Sequence, residues 1–173
     1  TEIKRFAKWK FVTENTVGVD IDLWNRKNKL VIDPQPILIW GTYFGSANKD
    51  EGKSTDIDSN GNPIFLGVTS STGLTTTGAH QTVLRANDDI YLLKKNKVGG
   101  TGSKIWCTYF GSDSVEIAGS VSIDKQQNVY ICGTTRGDNY IAFKAKNQST
   151  RAGLDDGFVS KFKSTGQLIW STY

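Results

Sequence analysis

The stretch Ile39-Trp40-Gly41-Thr42-Tyr43-Phe44-Gly45-Ser46 returns as Ile105-Trp106-Cys107-Thr108-Tyr109-Phe110-Gly111-Ser112. Its opening returns once more as Ile169-Trp170-Ser171-Thr172-Tyr173, at the end of the chain. The first two copies lie 66 residues apart and the last two 64 apart. Residues 37–69 overlay 103–135 without a gap, with 13 identities in 33 positions. An internal repeat of this period decides the architecture before any local signal does, because each unit must bury its faces against its neighbours.

The repeat supplies strands. In the first unit, Ser54 to Asp58 leads through the turn Ser59-Asn60-Gly61-Asn62 into Ile64 to Val68. Ile90 to Leu93 is a third strand, and Gly99-Gly100-Thr101-Gly102 turns it into a fourth, Lys104 to Phe110. The counterparts in the second unit are Ser120 to Asp124, Val129 to Cys132, Phe158 to Phe162 and Leu168 to Tyr173. Asn60-Gly61 predicts a tight type I′ hairpin, in which both central residues take positive φ. No stretch has helical periodicity with caps. Four antiparallel strands in each unit of about 65 residues, in tandem, predict β-propeller blades rather than a sandwich, which leaves the fixed spacing unexplained.

Residues 1–36 lie outside the repeat. Phe6 to Val12, Val17 to Trp24 and Leu30-Val31-Ile32 read as a three-stranded meander, with turns at Glu14-Asn15-Thr16 and Asn25 to Lys29. Asp33-Pro34-Gln35-Pro36 marks the exit. The expected organisation is therefore all-β. The C-terminal strands of a preceding β-rich domain occupy 1–36, and propeller repeats occupy 37–173. These comprise repeat 1 over 37–102, repeat 2 over 103–167 and the start of a third motif at 168–173. About two blades make an incomplete ring. The absence of methionine, with a chain end inside the motif, leads us to expect a piece of a longer protein.

Composition excludes some partners. The formal charge is +4, but residues 1–36 carry seven basic and five acidic groups and residues 37–173 fourteen and twelve. A nucleic-acid surface would concentrate that excess in a stripe or tail. Lys94-Lys95-Asn96-Lys97 is expected to be a solvated strand end. No apolar run reaches the roughly 18 residues that span a bilayer, and no segment reads as a signal peptide. Cys107 and Cys132 replace packing residues of the sister repeats, so both are expected to be small buried residues.

Residues 30–173 resemble the SBBP family of bacterial β-propeller repeats. The resemblance rests on Trp106-Cys107-Thr108-Tyr109-Phe110-Gly111, Glu116, Ile123-Asp124, Asn128 to Thr135 and Asp156-Gly157-Phe158-Val159-Ser160-Lys161. More worn counterparts are Pro63 to Thr69 and Asp89 to Lys94, and Leu30 to Pro34 resembles the end of the β-rich domain that often precedes such repeats. The resemblance implies a large secreted or surface-attached bacterial protein. The family has no shared catalytic motif, so no residue is assigned a catalytic role by it.

Candidate chemistry is sparse. His80, the only histidine, lies in the loop Thr75 to Thr82, where the bland reading is an exposed loop residue. Asp56-Ile57-Asp58-Ser59-Asn60-Gly61 fits half a calcium loop but has Gly67 at the twelfth position, so a hairpin turn explains it better and calcium stays a minor alternative. Asp88-Asp89 and Asp155-Asp156 recur before the third strand, and Asp50 recurs as Glu116. Such acids accept backbone N–H groups at loop corners. The recurring Trp40, Trp106, Trp170 and Tyr43, Tyr109, Tyr173 point to blade-to-blade packing, whereas Trp9 and Trp24 lie outside the repeat. The loops 69–88 and 135–155 are the natural recognition surfaces. The leading expectation is a non-catalytic extracellular scaffold for protein or glycan contact, with no cofactor, its open faces covered by further blades or other chains. The alternatives are a propeller hydrolase or lyase on polysaccharide, with carboxylates or His80 converging in a pocket, and a subunit packed permanently in a larger assembly.

Overall fold

The computed structural model describes residues 7–13, 16–21, 38–98 and 104–173, and the chain divides into two compact units, Thr1–Leu38 and Ile39–Tyr173. In the first unit, β1 (Ala7–Thr13) and β2 (Thr16–Ile21) form an antiparallel hairpin with a bulge between Phe11 and Thr13. The expected third strand, Leu30-Val31-Ile32, lies outside the described residues, as do Trp24, the turn at Asn25 to Lys29, the Pro34/Pro36 exit and the Gly99 to Gly102 turn.

The second unit is two four-stranded antiparallel meanders. Blade 1 is β3 (Asp50–Ile57), β4 (Pro63–Thr69), β5 (Asp89–Lys95) and β6 (Lys104–Phe110), hydrogen-bonded in that order. Blade 2 is β7 (Glu116–Ile123), β8 (Val129–Thr135), β9 (Asp156–Phe162) and β10 (Leu168–Thr172), likewise in order. All eight strands read from the repeat are present. The first strand of each blade begins four residues earlier than alternation indicates. Register shifts at Gly52/Ser54 and Ala118/Ser120 explain this, since an extra residue inverts side-chain parity and hides the N-terminal half from a period-two pattern.

The blades stack face to face. Ile64, Leu66, Val68, Ile90, Leu92, Trp106 and Phe110 of blade 1 share one buried cluster with Val121, Val129, Ile131, Phe158 and Phe162 of blade 2. The first strands add polar ties. Ser54 Oγ accepts the Val121 N–H at 3.2 Å, and Asp56 Oδ2 accepts the Ile123 N–H at 2.8 Å. On the other face of blade 1, Tyr91, Leu93, Cys107 and Tyr109 pack beneath Leu74, Phe44 and Leu84.

The type I′ expectation fails at Asn60-Gly61, where only Gly61 has positive φ (81°). The three tight turns described within the blades share another form. The Asp58 N–H donates to Asn62 O and the Gly61 N–H to Asp58 O, and Asp124/Gln127/Asn128 and Lys163/Gly166/Gln167 repeat the pattern. The left-handed residue is the fourth of five, Gly61, Gln127 or Gly166, as in a type I turn closed by a bulge. In the first two, the aspartate carboxylate also accepts the backbone N–H of the asparagine four residues on, which favours this turn over the tighter one.

Outer edges are covered. The loop between β4 and β5 lies along β6, with Thr76 N–H donating to Cys107 O and Tyr109 N–H to Gln81 O. One repeat on, Phe143 and Ser171 exchange both backbone bonds, and Tyr173 N–H donates to Gln148 O. Each loop thus blunts the edge strand of its own blade. The motif tyrosines fasten it, with Tyr109 Oη donating to Ser71 O at 2.7 Å and Tyr173 Oη to Gly137 O at 2.9 Å.

Tyr109 Oη also accepts the Leu74 N–H at 3.1 Å, and the residue is 0% exposed. Tyr109→Phe therefore leaves two buried backbone groups unpaired and should destabilise by about 2 kcal/mol. Tyr43→Phe, at the fully exposed counterpart, should change stability by less than about 0.5 kcal/mol. Urea denaturation of the two variants checks the contrast.

Candidate functional site

The recurring acids build loop corners. Asp50 accepts from Thr69 Oγ1 at 2.5 Å, Ser71 Oγ at 2.9 Å and the Ser46 N–H at 2.9 Å. Glu116 repeats this with Thr135 Oγ1 at 2.8 Å, the Ser112 N–H at 2.9 Å and the Ser112 hydroxyl. Asp89 accepts Gln81 Nε2 at 2.5 Å and the Arg85 N–H at 3.0 Å, and Asp156 accepts Gln148 Nε2 at 2.9 Å and the Ala152 N–H at 2.8 Å.

Asp89 and Glu116 converge around Gly111, where an added Cβ would meet the two carboxyls at 2.6 and 2.7 Å. Burial raises the pKa of both, against the hydrogen bonds each accepts, and Asp89 raises Glu116 further. Two perturbed carboxyls side by side are what acid–base catalysis would require. Here both are fully buried with their oxygens committed to loop donors. Cavities among the described residues include a shallow pocket lined by Thr76, Thr77, Trp106, Cys107, Thr108 and Thr165, and an open groove lined by Thr42, Tyr43, Phe44, Ser46, Asn48, Asp50, Lys95 and Lys104.

Three expectations need correction. Lys94 and Lys95 are buried rather than solvated, because Lys94 Nζ reaches into the β3–β4 turn and pairs with Asp58 Oδ2 at 2.7 Å. Asp58 also accepts the N–H groups of Asn60 and Asn62 and the Asn62 amide, so its oxygens build the turn. His80 is half-buried rather than exposed, wedged between Phe110 (6.3 Å) and Phe162 (6.1 Å) where the blades meet. Burial, with Arg85 nearby, lowers its pKa. Cys107 is buried, but Cys132 is exposed. Its counterpart Leu66 is 0% exposed because blade 2 covers it, whereas nothing described covers the equivalent face of blade 2.

Of the recurring aromatics read as blade-to-blade packing, Trp106 joins the two described blades, whereas Tyr43 is fully exposed and Tyr109 and Tyr173 fasten loops of their own blades. Trp106 Nε1 donates to Ser164 O at 2.8 Å, in the β9–β10 turn of blade 2. Its ring lies over Gly166, where a Cβ would stand 2.9 Å from the indole. Trp40 Nε1 donates to Lys97 O at 3.1 Å, at the equivalent place on blade 1. Each tryptophan therefore clamps the outer turn of the next blade along. Residues 105–141 match the SBBP family model, a beta-propeller repeat. No curated protein matches the chain. The matched propeller repeat runs from the Trp106 motif through β7 and β8 into the following loop. A sequence repeat thus begins with the last strand of one blade and continues into the next, which ties consecutive blades covalently as well as by the clamp.

What the repeat does not explain lies in the loops. Arg85 stacks over Tyr140, 4.2 Å from Cζ to the ring centroid, and its Nη1 donates to Gln81 Oε1 and Gly111 O. Nearby, Asn139 Nδ2 donates to Asp113 Oδ2 at 2.6 Å and Arg151 Nε to Asp138 Oδ1 at 2.8 Å. Reading the sequence indicated the loops but not Tyr140. The signal was its alignment with Gly73, which requires a one-residue gap.

Burial tends to raise the Asp58 pKa, but hydrogen bonds from Lys94 and Asn62 outweigh it and hold the value at about 2. A depressed folded pKa adds stability above the unfolded value of 3.8, lost as pH falls through about 2. Asp89 and Glu116 act with the opposite sign, since their raised values favour the folded state as they protonate. Asp58→Asn should destabilise by about 3 kcal/mol at pH 7, because it strands buried Lys94. The gap to wild type should narrow between pH 4 and 2, as read from denaturant titrations at each pH.

Proposed function

We propose that this chain is a non-catalytic β-propeller segment of a secreted or cell-surface bacterial protein, acting as a scaffold that presents loops for protein or glycan contact. The extracellular, bacterial setting rests on the family resemblance alone. The scaffold role is supported by the blades: recurring acids serve as loop pins, and the outer edges are covered by loops.

One observation carries the further claim that more blades complete the scaffold. The face of blade 2 that corresponds to the covered face of blade 1 presents exposed Cys132 with part-buried Tyr130, Thr134, Val159 and Trp170. Trp40 and Trp106 each clamp a turn carbonyl, but the Trp170 indole N–H has no acceptor among the described residues. The groove beside Phe44 and Lys95 is the counterpart of the place that His80 fills between Phe110 and Phe162.

A second copy of this chain is the poorer occupant of the blade 2 face, because its Lys97 carbonyl already receives its own Trp40. A further repeat with a free turn carbonyl fits better. The test is thiol labelling with a disulfide reagent. In the native 173-residue chain Cys132 should react readily and Cys107 only after unfolding, since burial raises the Cys107 pKa to about 12. Appending another copy of residues 110–173 after Tyr173 should slow the original Cys132 by about tenfold or more, as burial removes access. Unchanged labelling in the extended chain, or protection of Cys132 in the unextended chain that vanishes on dilution, would contradict this reading.

A further inference from the structure

Three non-glycine residues of blade 2, Gln127, Tyr140 and Lys144, take positive φ, and Tyr140 is the only aromatic among them. The residue at φ +75° in the blade 1 loop is Gly73, which adopts that conformation freely. The equivalent position in blade 2 is Tyr140, at φ +70°. A bulky aromatic there is strained, and strain of this kind persists where surrounding structure holds it. The holder is Arg85, whose guanidinium covers one side of the ring while its own N–H groups are fixed on Gln81 and Gly111. Folding of the loop does not call for the ring, since blade 1 manages the same turn with glycine. Tyr140 nevertheless stays 59% exposed.

Its surroundings are polar. Asp113 is bonded to Asn139 through one carboxylate oxygen, and Asp138 to Arg151 through one. The Arg151 pairing holds the Asp138 pKa below the usual carboxylate range, so it is an acceptor. Asp113 also lies beside Gly137, 3.3 Å from where its Cβ would stand, which brings it to the root of the same loop.

We propose that Tyr140, backed by Arg85, is the stacking platform of a carbohydrate-binding site at the rim where the two blades meet, with Asp113, Asp138 and Asn139 as partners for sugar hydroxyls. The proposal rests on the scaffold reading and names its ligand class. A flat aromatic face meets the C–H face of a pyranose, and carboxylate and amide groups beside it take the hydroxyls. An extended peptide would instead seek a free sheet edge, and loop strands already occupy the outer edges of both blades. Carboxylates paired one-to-one with Arg and Asn leave no concentrated positive field for a polyanion.

The experiment is calorimetric titration of the 173-residue chain with dextran, xyloglucan, galactomannan and starch, and with gelatin as a protein probe. At least one polysaccharide should bind saturably. Tyr140→Gly, which installs the residue blade 1 uses, should weaken that binding about tenfold or more. It should leave the thermal midpoint unchanged or raised, because the strain is relieved. Tyr140→Phe should keep most of the affinity. The proposal is overturned if no polysaccharide binds, if Tyr140→Gly binds like wild type, if gelatin alone binds, or if Tyr140→Gly lowers the midpoint as a packing residue would. None of these outcomes affects Cys132 labelling, so the scaffold reading stands or falls separately.

Discussion

The indole of Trp106 hydrogen-bonds a turn carbonyl of a blade to which it does not belong, and the rest of the architecture depends on that step. A four-stranded meander has two broad faces, and alone it can bury neither. Clamping the outer turn of the next sheet sets its distance from the Trp-bearing strand. That in turn lets Leu66, Leu92 and Phe110 close on Ile131, Phe158 and Phe162. Ser54 and Asp56 fix the other side by accepting backbone N–H groups of β7. One blade is thus held at its inner strand by side-chain oxygens and at its outer hairpin by an indole.

The blades were legible because their determinants are local and doubled. Trp40/Trp106, Tyr109/Tyr173 and Asp58/Asp124 stand at matching spacings, and each makes the same kind of bond wherever a partner is described. Legibility failed where a residue's surroundings come from another blade. Cys132 and Leu66 occupy the same position, and only the presence of a covering sheet separates buried from exposed. His80 looked like a loop residue because the aromatic rings flanking it belong to strands distant in sequence. Lys94 looked like a solvated end because alternation cannot reveal that Asp58 waits across the sheet. The bulges hid half of β3 and β7 by inverting parity.

Recognition, by contrast, belongs to what the repeat does not dictate. Gly73 and Tyr140 share a backbone conformation but not a chemistry, and Arg85 has an alanine, Ala152, as its counterpart. A rigid scaffold with pinned loop corners holds such exceptions in place at little entropic expense, which is why function collects on loops of this kind. The buried acids illustrate the converse. Asp89 and Glu116 have the shifted acidity of catalytic groups, yet their environment makes them structural anchors, so acidity without access says nothing about chemistry.

The most direct measurement of the stacking account is hydrogen exchange at the tryptophan indole N–H groups, resolved by NMR. The Trp106 signal should exchange slowly, at a rate that follows opening of the blade interface, while Trp170 exchanges at close to the rate of free indole. Equal exchange at the two, or protection of Trp170 alone, would mean that the indole clamp does not join the blades.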